Sequence, residues 1–93
     1  PKNKLPLAGV YIVKVILEGK EYGGIANMGT RPTVGGEHPV LEVHLLEFSQ
    51  NIYSKRLTVE FCKKVRDEKK FDGLDALKEQ IFKDISTAKA YFS

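Results

Sequence analysis

The sequence predicts a mainly β domain, an antiparallel sheet curled into a barrel with one C-terminal helix packed against its outside. Three observations lead there. Between about residues 10 and 65 the apolar residues fall in four short β-type runs separated by Gly, Pro, Asn and Ser clusters. After Asp72, Leu74, Leu77, Ile81, Ile85, Ala88 and Phe92 recur near every 3.6 residues. No internal repeat or low-complexity tract interrupts this order.

The first strand covers about 10–18. Val10-Tyr11-Ile12-Val13-Lys14-Val15-Ile16-Leu17 is β-branched and aromatic with no helical period, so it is expected to be covered on much of both faces. Glu18-Gly19-Lys20-Glu21 turns the chain into a second strand at about 22–28. A loop from Gly29 to Pro39, with its Gly35-Gly36 pair, leads to a third strand at about 40–48. On that strand Glu42, His44, Leu46 and Phe48 share one face and Leu41, Val43 and Leu45 the other. Ser49-Gln50-Asn51 reads as the next turn. The fourth strand, about 56–65, alternates Leu57, Val59, Phe61 and Val65 with Thr58, Glu60, Cys62 and Lys64, a half-buried pattern. The helix, about 73–92, is expected to start from Asp72 as N-cap with Asp75 three positions on.

The chain's 93 residues, 42% hydrophobic and 29% charged, fit one domain, residues 1–93, able to bury a core without staples. The single cysteine, Cys62, excludes an intrachain disulfide framework and a cysteine-based zinc site, and its strand setting predicts a buried or half-buried structural thiol. A reducing cytoplasm is the expected setting. No apolar run reaches the roughly 18 residues of a membrane span, and the first residues lack the apolar stretch of a signal peptide. The net charge of +3 admits anionic partners. The densest basic cluster, Lys63-Lys64, Arg66 and Lys69-Lys70, is interrupted by Glu60, Asp67 and Glu68, which speaks against a nucleic-acid face.

Two segments carry chemistry. Gly24-Ile25-Ala26-Asn27-Met28-Gly29-Thr30-Arg31-Pro32-Thr33-Val34 brings backbone amides and an arginine to one Gly/Pro-punctuated place, which suits an anion. Leu41-Glu42-Val43-His44-Leu45-Leu46-Glu47 then delivers a strand-borne carboxylate, the group needed to deprotonate a hydroxyl. On spacing alone a hairpin with a polar loop and a solvated Glu42 is the better reading. His44 reads as structural, since one histidine beside one glutamate is too little for a metal site. No Gly-x-x-x-x-Gly-Lys-Ser/Thr phosphate cradle is present.

Together with a third block, Val65-Arg66-Asp67-Glu68-Lys69-Lys70-Phe71-Asp72, these segments resemble the riboflavin kinase family, in the form of the C-terminal module of bacterial bifunctional riboflavin kinase/FAD synthetases. The resemblance runs from about Gly9 to Phe92. It implies a six-stranded Greek-key barrel with a C-terminal helix, and transfer of the ATP γ-phosphate to the 5′-hydroxyl of riboflavin, giving FMN and ADP. It implies Glu42 as general base, Arg66, Glu68 and Phe71 at the flavin, and Asn27, Gly29, Arg31 and Thr33 in a flap over nucleotide and phosphate. The partners implied are riboflavin or FMN, ATP or ADP with Mg²⁺, and an N-terminal FMN adenylyltransferase domain, with no nucleic acid and no membrane. The family's Pro-Thr-Ala-Asn motif, which serves Mg-ATP, matches nothing here. The expectation is a truncated kinase domain, inactive alone, with its main metal ligands outside the chain and Pro1 to Ala8 as the frayed remnant of a barrel edge. Two alternatives stand beside it: a flavin- or FMN-binding barrel without turnover, and a small OB-like nucleic-acid-binding barrel.

Overall fold

A computed structural model of the chain describes residues 8–46 and 57–93. Its elements are β1 (Gly9–Leu17), β2 (Lys20–Thr33), β3 (Gly36–Leu45), β4 (Leu57–Arg66) and α1 (Leu74–Phe92). The four strands form one antiparallel sheet in the order β3-β2-β1-β4 with the helix against it, so the fold is mainly β as the sequence predicts. Among the described residues the sheet does not close into a barrel, and β3 and β4 are its edges. The expected turn at Ser49-Gln50-Asn51, Phe48, the first residue of the expected fourth strand and the N-terminal remnant through Leu7 lie outside the described residues.

β1 is central, and its β-branched run is buried nearly throughout. On one face Tyr11, Val13 and Val15 join Ala26, Met28 and Leu45 in a cluster flanked by Tyr22, Val43, Leu57 and Val59. The other face carries Val10 and Ile12, with Ile12 beside Thr87, Ala90 and Tyr91 of the helix. Burying a side chain such as Ile12 or Val13 contributes about 1.5–3 kcal/mol, so β1 holds both layers together.

The loop expected over 29–39 is mostly strand. β2 and β3 stay paired from Gly24↔Leu45 to Thr33↔Gly36, with the turn at Val34 and Gly35. The prolines misled because a ladder donor is required only where a neighbour sits on that side. Among the described residues β1 pairs with β2 only as far as Met28, so from Gly29 onward β2 has no described strand on that side, and Pro39 lies on β3, an edge of the described sheet.

β4 departs from simple alternation. Its register against β1 slips between Ile12/Val13 and again between Val10/Tyr11, leaving Cys62 and Val65 as extra, bulged residues. Cys62 is therefore exposed, contrary to the expected buried thiol: it sits at a bulge on an edge strand, its Sγ donating to the Glu60 carbonyl at 3.7 Å. Gly9, with φ of 148°, permits the end of β4 to close in, since a Cβ there would lie 2.7 Å from the Arg66 carbonyl oxygen.

The helix begins one residue later than expected. Gly73, in extended conformation, is the N-cap and no side chain caps the first turn; the Gly73 carbonyl accepts from the Leu77 amide at 3.2 Å. Asp75 still places negative charge on the positive end of the helix. Ala88 is fully buried, whereas Ile81 is 43% exposed and Leu74 64%. The stripe does not simply meet the sheet, because a cavity separates its middle part from the strands.

Candidate active site

A single rung of the sheet organises the site. Arg66 on β4 is opposite Val10 on β1, Val10 is opposite Asn27 on β2, and Asn27 is opposite Glu42 on β3. Strands lie about 4.8 Å apart, so the rung spans roughly 14 Å along the sheet. Side chains alternate faces, which puts all four on the side that the helix covers. The next rung on that face runs Lys63, Ile12, Ile25 and His44.

Above these rungs, between sheet and helix, lies a cavity of about 500 Å³. Asn27, Glu42, Arg66, Glu68 and Phe71, nominated by three separate stretches of sequence, all line it. The lining is otherwise largely aliphatic: Val10, Ile25 and Val43 from the strands, Leu77, Ile81 and Ile85 from the helix. The stretch 67–73 between β4 and α1 supplies Glu68, Lys69 and Phe71 to its wall. The Phe71 ring is flanked by cations, with Arg66 Cζ 5.8 Å and Lys69 Nζ 5.3 Å from its centroid.

Arg66 is held from three sides. Its Nε donates to Asp84 Oδ1 and Oδ2 at 3.1 and 3.3 Å, its Nη2 to Asp84 Oδ2 at 2.9 Å, and its Nη1 to the Asp67 carbonyl at 3.1 Å. Gln80 Nε2 donates to Asp84 Oδ1 at 3.1 Å. Asp84 is only 4% exposed, so leaving either charge without the other would cost several kcal/mol. The two bulges make this possible. By absorbing two residues of β4 they draw Arg66 two positions, roughly 7 Å, along β1 to stand beside Val10.

Gly29 is buried, and a Cβ there would collide with the Glu68 carboxylate; the bare backbone lets that side chain rest on β2. Arg31 and Thr33 lie further along β2, at backbone positions opposite His38 and Gly36. The buried Asn27 Oδ1 accepts no hydrogen bond from any described residue, an uncompensated acceptor facing the site. Beyond the cavity, Lys64 Nζ and Asp67 Oδ1 pair at 2.6 Å. The hydrogen bond from Lys64 holds the Asp67 carboxyl below the usual carboxylate value, and the bond to Asp67 raises Lys64 above 10.5.

Sequence reasoning passed over Asp84 with its partner Gln80, the lining residue Lys69 and the aliphatic helix wall, and it treated His44 as structural although His44 lines the cavity. A signal for Asp84 was present: an acid beside Ile85, within a stripe where every third or fourth residue is apolar.

The sequence pattern of the Flavokinase (riboflavin kinase) family matches residues 1–92. The chain is 56% identical over 89 residues to the bifunctional riboflavin kinase/FMN adenylyltransferase of Haemophilus influenzae, covering 95% of this chain and 29% of that protein. Its identity to the same enzyme of Pseudomonas fluorescens is 47% over 90 residues, covering 96% of this chain and 29% of the relative. Among solved structures, a Streptococcus pneumoniae chain described as a macrolide-efflux protein superposes with a TM-score of 0.86 at 32% identity, over 92% of this chain and 28% of that one. The chain belongs to the riboflavin kinase family, and it spans somewhat under a third of the length of the curated relatives it matches.

Proposed function

We propose that this domain is the riboflavin kinase module of a bifunctional enzyme, transferring the γ-phosphate of ATP to the 5′-hydroxyl of riboflavin to give FMN, which a separate FMN adenylyltransferase domain converts to FAD. The observation that carries the reading is the convergence of Asn27, Glu42, Arg66, Glu68 and Phe71 on one largely apolar cavity between sheet and helix. A flat apolar ring with polar edges suits such walls. Aliphatic side chains and Phe71 cover the face, while Arg66 and Glu68 meet the heteroatoms.

Glu42 stands at the opposite end of the rung from Arg66, so a ring held near Arg66 and Phe71 leaves its side chain directed towards the carboxylate. There Glu42 accepts the proton of the hydroxyl as its oxygen attacks phosphorus, with ADP as leaving group. Asn27 Oδ1, one strand from Glu42, offers an acceptor for a ribityl hydroxyl and would lose its uncompensated state on binding. The segment Gly29, Arg31 and Thr33 serves as the flap towards the phosphates. No group of three metal-binding side chains gathers among the described residues. Mg²⁺ would enter with ATP and would supply neutralisation of phosphate charge.

A reducing cytoplasm suits the exposed, unpaired Cys62, and no described helix is long and apolar enough to cross a membrane. The test is to titrate riboflavin into the full-length polypeptide by flavin fluorescence, then add Mg-ATP and look for FMN by chromatography. Saturable binding followed by FMN supports the reading. Binding with no FMN leaves a flavin-binding module, and no binding removes the flavin site altogether.

A further inference from the structure

We infer that Asp84 is a positioning residue for the flavin site: held by Gln80, it fixes the Arg66 guanidinium so that Arg66 serves the neutral ring of riboflavin and not a phosphate group. The inference rests on the proposed riboflavin kinase reading and adds to it a division of labour within the cavity.

A guanidinium has five N–H donors. Three are engaged, the Nε–H and one on Nη2 by Asp84 and one on Nη1 by the Asp67 carbonyl. Among the described residues the other two, one on each terminal nitrogen, meet no acceptor. Bonds to a carboxylate and to a backbone carbonyl fix the plane of the group, so the two remaining donors have set directions. Their geometry matches a ligand presenting carbonyl or ring-nitrogen acceptors in a plane.

Charge decides which ligand that is. Asp84 is 6% exposed at its side chain and Arg66 20%, so the pair is poorly screened and the carboxylate cancels most of the arginine's positive charge. An arginine recruited for phosphate would be left uncovered, with its paired donors turned to the anion. This one has given its Nε/Nη2 edge to Asp84. Gln80, one helical turn before Asp84, in turn fixes the carboxylate through Oδ1. Sitting on α1 rather than on the sheet, both residues tie the helix wall of the cavity to the orientation of Arg66.

The experiment compares the full-length enzyme with Asp84→Asn and with a charge exchange and its single-variant reference, measuring riboflavin affinity, both KM values, kcat and Tm. Asp84→Asn keeps the side chain's size but loses the charge and one acceptor. Riboflavin Kd and KM should rise roughly ten- to hundredfold, the scale of a lost charge-assisted hydrogen bond. KM for ATP and kcat at saturating riboflavin should stay within about threefold. The second variant exchanges the partners, Arg66→Asp with Asp84→Arg, restoring a strand-to-helix ion pair with the guanidinium in the wrong place. It should recover Tm relative to Arg66→Asp alone without recovering riboflavin affinity.

Equal rises in the two KM values, unchanged riboflavin affinity in a folded Asp84→Asn, or an exchange that restores binding together with Tm would each overturn the inference. If the unaltered enzyme itself binds no riboflavin, the functional reading falls and takes this one with it. If it binds and Asp84→Asn binds equally well, only the role of Asp84 is lost.

Discussion

Asn27 and Glu42 are direct cross-strand partners on β2 and β3, and both side chains line the cavity under α1. Directly opposed residues on one face have Cβ atoms about 4.5–5.5 Å apart. A carboxylate and an amide are thereby fixed side by side on two hydrogen-bonded strands, a rigid place for the acid–base and hydroxyl-binding ends of a site. The proposed chemistry rests on that rigidity, because phosphoryl transfer gains chiefly from positioning.

Replacing Glu42 with Gln removes the base and preserves the volume. Turnover to FMN should fall by roughly two to four decades, the usual scale for a general base, with riboflavin affinity altered little. Steady-state kinetics beside a fluorescence titration check this, and the proposed FMN adenylyltransferase activity of the full-length polypeptide is the internal control. Near-normal turnover removes Glu42 from the mechanism.

Gly29→Ala should injure the site more than the fold. The atoms a new Cβ would meet belong to the end of the Glu68 side chain, which can swing away at little cost in stability. Swinging away takes the carboxylate off β2, so riboflavin affinity should drop several-fold, by about 1 kcal/mol, the order of one hydrogen bond. In a Glu68→Ala background the same change at Gly29 should have no further effect. Additive losses in that double-mutant cycle contradict the steric link.

Ile12 is 1% exposed on the face of β1 that meets the helix. Ile12→Ala should destabilise the domain by about 2–5 kcal/mol, and Ile12→Val by about 0.5–1.5 kcal/mol. Urea unfolding followed by circular dichroism measures both. A loss below 1 kcal/mol for the alanine variant means that the helix does not pack as described.

The Lys64–Asp67 pair has a pH window. Asp67 titrates below its usual 3.8 in the folded protein, so the stability it contributes is present above that value and is lost as pH falls through the folded midpoint. Lys64 is raised above 10.5, so its contribution is present below 10.5 and is lost as pH rises through its folded midpoint. Following the Asp67 carboxyl by NMR should give a midpoint below 3.8, and Lys64→Gln should move it back up. An unmoved midpoint shows that the pair does not persist in solution.

The sequence by itself determined the mainly β class and the helix, because a period of two residues or of 3.6 is imposed by local backbone geometry and needs no knowledge of neighbours. The types and order of Glu42, Arg66, Glu68 and Phe71 were legible there too, since residue type can be read wherever the residue ends up, but the cavity they share needed the fold. What only the tertiary structure decided depends on pairing. Pro32 and Pro39 read as loop until β2 proves to outrun β1, leaving their positions without a second ladder neighbour among the described residues. Cys62 reads as buried until the register against β1 makes it a bulge. Asp84 goes unnoticed in the sequence until Arg66, brought beside Val10 by the same two bulges, arrives 18 residues away in sequence to meet it. A bulge or a buried ion pair is a property of two segments at once, and neither segment's pattern contains the other.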